Sequence, residues 1–231
     1  MQRVDTPEIL DSGACSLADI AVTLQDIGRM NRWFGGIATT QKMMERVAST
    51  TGVKHFSVLE VAAGSGEAPG IVRQRLAARG ITSTATLLDR AQSHLPSGDQ
   101  SVVADALALP FADHSFDLVS CCLFAHHLDV HQLARFVREG LRVSRRALLI
   151  NDLVRHRVHL ALAFAGYPLM RSRIAWLDGL TSVRRAYVPH EIRSVIASAS
   201  PEPAVRVEIS RNYLFRMGVI LWKNAPERHR A

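Results

Sequence analysis

Residues 55–66, HFSVLEVAAGSG, constrain the fold more than any other stretch of the chain. Phe56, Val58, Leu59 and Val61 suit a strand buried on both faces, and the run then breaks into small residues and glycines. Gly64 and Gly66 lack the Cβ atoms that would keep a ligand away from the backbone. Glu67, Ala68 and Pro69 read as the first turn of a helix, where proline is tolerated and an acid suits the helix dipole. Strand, glycine turn and helix together open an alternating α/β pattern.

The pattern continues downstream. A helix to about residue 78 ends at Gly80, a strand over 84–88 ends at Asp89, a short strand over 101–104 stops at Asp105, and a fourth strand covers 116–123. A helix over 130–143 leads to a fifth strand, 147–150, ending at Asn151 and Asp152. Pro189 and Glu191 open a helix to about 199, closed by Pro201 and Pro203. Strands over 204–210 and 213–223, separated by Arg211-Asn212, form an antiparallel hairpin. These elements predict a Rossmann-like, doubly wound, mostly parallel seven-stranded sheet with its ligand site at the carboxyl ends of the strands.

Two segments do not follow the alternation. Residues 1–50 lack strand patterning and read as a helical cap, with Ser16 as N-cap and Ile20, Leu24, Ile27 and Met30 at helical spacing. The breaker at 31–36 carries Trp33 and Phe34, either as an elbow packed into the core or as a lid over the glycine turn. A second helix follows over 39–48. Residues 155–187, with an apolar stretch over 158–170 and a loop expected at Asp178-Gly179, read as an insertion covering the site within a main domain spanning 51–231.

Composition narrows the function classes. At 231 residues and 48% hydrophobic, the chain can bury one sizeable core. The net charge of +7 invites a nucleic-acid reading, but the arginines are scattered rather than gathered in a tract, which disfavours it. Cys15, Cys121 and Cys122 give neither a disulfide framework nor metal spacing, so no metal and a cytoplasmic location are expected. The early acids argue against a signal peptide, and the run over 158–170 is shorter than the roughly 20 residues of a spanning helix, so no integral membrane association is expected.

The spacing after the turn decides between ligands. A dinucleotide turn needs a third glycine where Pro69 stands, and no Gly-Lys-Ser/Thr follows for a P-loop. Asp89, some twenty residues on, can accept from both hydroxyls of a ribose. Asp105 can accept from an exocyclic amine, with the Ala106 amide donating to a ring nitrogen. In VLEVAAGSG, LLDR, ADALALPFADHSFDLV, FAHHL and the terminal strand pair, residues 53–223 resemble the class I S-adenosylmethionine-dependent methyltransferases. The resemblance implies that Glu60 and the turn Ala62, Ala63, Gly64, Ser65 and Gly66 hold the methionine end of the cofactor. It assigns the ribose to Asp89, with Arg90 beside it, and the adenine to Asp105 and Ala106, with Leu123 completing the set. Ala62 departs from the family, which usually has glycine there.

Methyl transfer from a sulfonium needs alignment, exclusion of water and, for some acceptors, removal of a proton. His126 and His127, just past the fourth strand, and Asp152, past the fifth, are the candidate catalytic residues; packing or helix capping is the competing reading for each. Arg184 and Arg185 could hold an acidic substrate or form a solvated basic face. The expected activity is methylation of a small, partly apolar molecule at oxygen, carbon or nitrogen, by a monomer or homodimer. An RNA or nucleobase methyltransferase and a non-catalytic cofactor-binding regulator are the alternatives.

Overall fold

The structure is a computed structural model describing residues 1–98, 100–199 and 205–223. Pro201, Pro203 and Ala204, expected to close the last helix and open a strand, lie outside the described residues.

The seven strands form one sheet in the order β3-β2-β1-β4-β5-β7-β6. β1 (His55–Val61) pairs in parallel with β2 (Thr82–Asp89) on one side and β4 (Phe116–Cys122) on the other. β3 (Ser101–Val103) extends the β2 edge, while β5 (Ser144–Leu153) extends the β4 side. β7 (Arg216–Trp222) runs antiparallel to both β5 and β6 (Arg206–Arg211). The strand order therefore reverses at β1 and β4, where such sheets open a crevice for ligands.

Alternating side chains of the central strands build two cores. Leu59, Val61, Val119, Cys121, Leu148 and Ile150 pack under α4 (Val130–Val143) and α7 (Pro189–Ala199), with Leu133, Phe136, Val137, Ile192 and Ile196. Phe56, Val58, Leu118, Leu149 and Trp222 pack on the other face under α2 (Gly36–Thr51) and α3 (Glu67–Ala77), with Ile37, Met43, Val47 and Leu76. α2 is thus part of the sheet's own core.

α1 (Leu17–Trp33) starts at Ser16, whose hydroxyl accepts from the Asp19 amide at 3.1 Å. Trp33 and Phe34 are 52% and 41% exposed, so the core elbow is not formed; Phe34 instead lines the cavity described below and meets Tyr213 edge-on. α5 (Arg157–Ala165) and α6 (Arg173–Arg185) fill the segment before α7. The loop expected at Asp178-Gly179 is instead mid-helix. Asp178 is buried and accepts from the amides of Ile9 and Leu10 at 2.7 and 3.0 Å, an arrangement that replaces the turn its sequence suggested. β5 runs past the expected end because β7 pairs with it through Leu153, so Asn151 and Asp152 are strand residues.

Candidate active site

The glycine turn is locked to β2 through Ala63, whose amide donates to Leu88 O at 3.0 Å. Ala62, Gly64 and Gly66 all have left-handed φ, at 54°, 53° and 71°. A Cβ at Gly66 would sit 2.6 Å from Leu87 Cδ1, so any other residue there must displace the end of that side chain and also hold a left-handed φ. A Cβ at Gly64 would meet only Leu24, and the bare backbone of 62–65 faces a cavity of about 960 Å³. Leu123, at the end of β4, also has left-handed φ, 58°, and its amide donates to Asn151 O at 2.9 Å. Non-glycine residues in this conformation concentrate at functional sites.

The carboxylates at the strand ends have different environments. Asp89 is buried, which raises its pKa, but hydrogen bonds from His94 and from the amides of Ala91 and Gly64 outweigh burial and hold it below the usual range. It enters the cavity ionised. Asp105 is exposed at the cavity rim, where its Oδ1 accepts from the Leu107 amide at 2.8 Å, with the buried Ala106 beside it. Arg90 is exposed on the same rim. Glu60 is 4% exposed and no salt bridge reaches it among the described residues; burial pushes it up to about 7, with Ser120 offsetting part of the effect. A buried carboxylate facing a cavity beside open glycine backbone fits an ammonium group and its carboxylate, as the methionine end of S-adenosylmethionine presents.

The far end of the cavity is built from residues remote in sequence. His126 is 1% exposed, and its Nδ1 lies 2.7 Å from Asp152 Oδ1, while its backbone amide donates to Asp152 Oδ2 at 2.8 Å. Its Nε2 lies 3.2 Å from Glu8 Oε1, off the hydrogen-bonding direction. Burial alone would lower the imidazole's pKa, but the two flanking carboxylates raise it well above the usual value. His127 Nδ1 lies 2.8 Å from Asp11 Oδ2, and its Nε2 lies 3.6 Å from Glu8 Oε2. Glu8 and Asp11 carry no local sequence signal; only the docking of residues 1–12 on α6 brings them here. Arg185, expected as a solvated base or substrate anchor, is 5% exposed and donates to the carbonyls of His126, His127 and Thr6. It clamps the site's backbone, leaving Arg184 as the exposed member of the pair.

Ile20, Leu24, Ile27 and Met30, the apolar stripe of α1, line this cavity. α1 packs against the rest of the molecule through polar contacts instead: Thr23 meets Ser172, and Asp26 accepts from the amides of Arg171 and Ser172 at 2.7 and 2.9 Å. Leu162, Leu169, Met170 and Trp176 form the opposite wall. Cys122 lines the cavity, Cys121 is in the core, and all three cysteines are free; burial pushes the Cys122 thiol up to about 12. Among the described residues no helix is long and apolar enough to cross a membrane.

Residues 59–147 match the model of a methyltransferase domain family. No curated protein matches the chain. Among solved structures, a SAM-dependent methyltransferase from Aquifex aeolicus aligns with 90% of this chain and 98% of its own at a TM-score of 0.58 and 14% identity. The plantazolicin methyltransferase BpumL, in complex with a pentazolic desmethylPZN analog and SAH, aligns with 90% and 96% at 0.65 and 10% identity. An O-methyltransferase family 2 protein from Planctomyces limnophilus, in complex with apigenin, aligns with 92% of this chain and 63% of its own at 0.59 and 17% identity. The match over residues 59–147 gives the chain a methyltransferase domain, and its sheet shares the fold of these solved methyltransferases. It is an enzyme, and S-adenosylmethionine is its cofactor.

Proposed function

We propose that the protein methylates a small, partly apolar molecule. The observation that carries this reading is one continuous cavity of about 960 Å³, which joins the glycine turn at one end to the Glu8–His126–His127 cluster at the other between apolar walls from α1 and from residues 162–176. The two plantazolicin-type and apigenin complexes among the structural neighbours hold ligands of this general kind. A nucleic-acid substrate lacks a comparable supporting feature, and the cavity is enclosed by side chains rather than lined by an arginine track.

Glu60 and the backbone of Ala62, Ala63, Gly64, Ser65 and Gly66 hold the amino-acid end of the cofactor. Asp89 accepts from the ribose hydroxyls, Arg90 flanks it, Asp105 and Ala106 read the adenine, and Leu123 packs beside it. Bound there, S-adenosylmethionine supplies a methyl group already activated on a sulfonium. The chain's own tasks are alignment and exclusion of water, performed by the apolar walls. At the other end, His126 and His127, braced by Asp152 and Asp11, orient and polarise the acceptor's nucleophilic atom. This favours an acceptor with an ionisable group, a hydroxyl above all. Within residues 1–50, α1 and the segment before it serve as the cap that selects the acceptor while α2 belongs to the core, and 155–187 serve as the insertion, on a cofactor domain spanning 51–231. The enzyme works in the cytoplasm as a monomer or homodimer.

Calorimetric titration with S-adenosylmethionine tests the cofactor half. Wild type binds, and Asp89→Ala weakens binding by at least about tenfold, as expected for losing two hydrogen bonds to a charged group. No binding by wild type would sink the reading. Single-turnover incubation of labelled cofactor with a metabolite extract tests the acceptor half, since transfer to RNA or to nothing would contradict it.

A further inference from the structure

The acceptor end of the cavity has the geometry of a metal site. Each of its two imidazoles has Nδ1 held by a carboxylate, at 2.7 Å for His126 to Asp152 and 2.8 Å for His127 to Asp11. With Nδ1 donating to its carboxylate, Nε2 is the ring atom left for a cation, which binds there by displacing any proton on it. Both Nε2 atoms face one carboxylate, Glu8, at 3.2 Å from Oε1 and 3.6 Å from Oε2. Yet Nε2 of His126, almost wholly buried, makes no hydrogen bond. Glu8 Oε1 stands beside it as a charge partner, and its hydrogen-bonding direction is left open.

One ligand atom from each of the three residues lies within 4.8 Å of the others. Two ligand atoms each about 2.1 Å from a tetrahedral ion are about 3.4 Å apart, the mean of the two observed spacings. We infer that Glu8, His126 and His127 bind a divalent cation of the zinc class. Two imidazoles with one carboxylate suit zinc and neighbouring first-row ions, whereas magnesium and calcium prefer all-oxygen sets. Asp152 and Asp11 orient the ligand rings, the role that outer carboxylates play around metal-bound histidines.

The frame is rigid where ligation requires it. Arg185 and Arg3 hold the carbonyls of His126 and His127, and Ser182 donates to Glu8 Oε1 at 2.6 Å. All three ligands line the cavity, so the remaining coordination position faces the acceptor space. That position takes a water or the acceptor's own heteroatom. This last consequence rests on the reading of the cavity as a methyl-acceptor site, whereas the cation site itself does not.

The test is calorimetric titration of the chelator-treated full chain with zinc chloride, repeated with cobalt(II) and followed by visible absorption. One equivalent of zinc and the intense absorption of tetrahedral cobalt are expected. Glu8→Gln and His127→Gln should abolish uptake, and Asp11→Asn should weaken it by about 10- to 100-fold. S-adenosylmethionine binding, measured on the same variants, should persist and so report intact folding. No saturable uptake by wild type, or uptake by both ligand variants equal to wild type, overturns the site. Failure of the methyltransferase reading would register separately, as wild type that takes up zinc but does not bind S-adenosylmethionine.

Discussion

Glu60 ties the chemistry of one side chain to solution pH. Its pKa is raised to about 7 from the usual 4.5, so the fold disfavours its ionised form. The stability it permits is fully present below the usual value and is lost as pH rises through the window from 4.5 to about 7. A bound ammonium reverses that preference, so cofactor affinity should fall by up to about tenfold per unit as pH drops below about 7. Calorimetry across that range checks this, and Glu60→Gln should flatten the profile while lowering affinity above it. Glu60 and Asp89 were legible in the sequence because a strand end and its following turn are local features. Glu8 was not: an acid in an unpatterned segment shows nothing until residue 182, on another element, accepts it as a partner.

At the scale of elements, α1 inverts the usual arrangement. Its apolar stripe was readable as Ile20, Leu24, Ile27 and Met30, but the stripe faces a cavity, and polar groups dock the helix. Asp26 is the main such contact, accepting from two amides of residues 171 and 172 and pairing with Arg29 at 2.7 Å. Asp26→Ala should cost about 3 kcal/mol, because it strands one buried and one part-buried amide, and should separate α1 from α6. Thermal melting measures the first effect and tryptophan fluorescence of Trp176 the second. Periodicity cannot distinguish a core-facing stripe from a cavity-facing one, since both require apolar residues every three or four positions. Asp178-Gly179 was misread for a related reason: a turn-forming pair became helical once Ile9 and Leu10 supplied amide donors to the aspartate.

At the scale of the molecule, the parallel sheet with its antiparallel end was legible from alternation, because the central strands β1, β4, β5 and β7 carry apolar runs. The stretch 158–170 was legible as a cover and supplies Leu162, Leu169 and Met170 to one wall; the α1 wall was not, since periodicity does not show which stripe faces a cavity. Leu162 is 53% exposed yet lines the cavity. Leu162→Ser should leave stability within about 0.5 kcal/mol. It should raise KM for an apolar acceptor by about fivefold, equivalent to about 1 kcal/mol of lost burial; denaturant melts and steady-state kinetics check the two halves.

The segment that supplies Glu8 reaches its partner Ser182 across 174 positions of chain. A contact of such span forms only after both of its flanks are in place, so it closes late in folding and is among the first to open afterwards. Hydrogen exchange should therefore be faster at the Ile9 and Leu10 amides than at those of β1. Under the proposed function, the acceptor enters and leaves by the undoing of a peripheral clasp, while the central sheet stays folded.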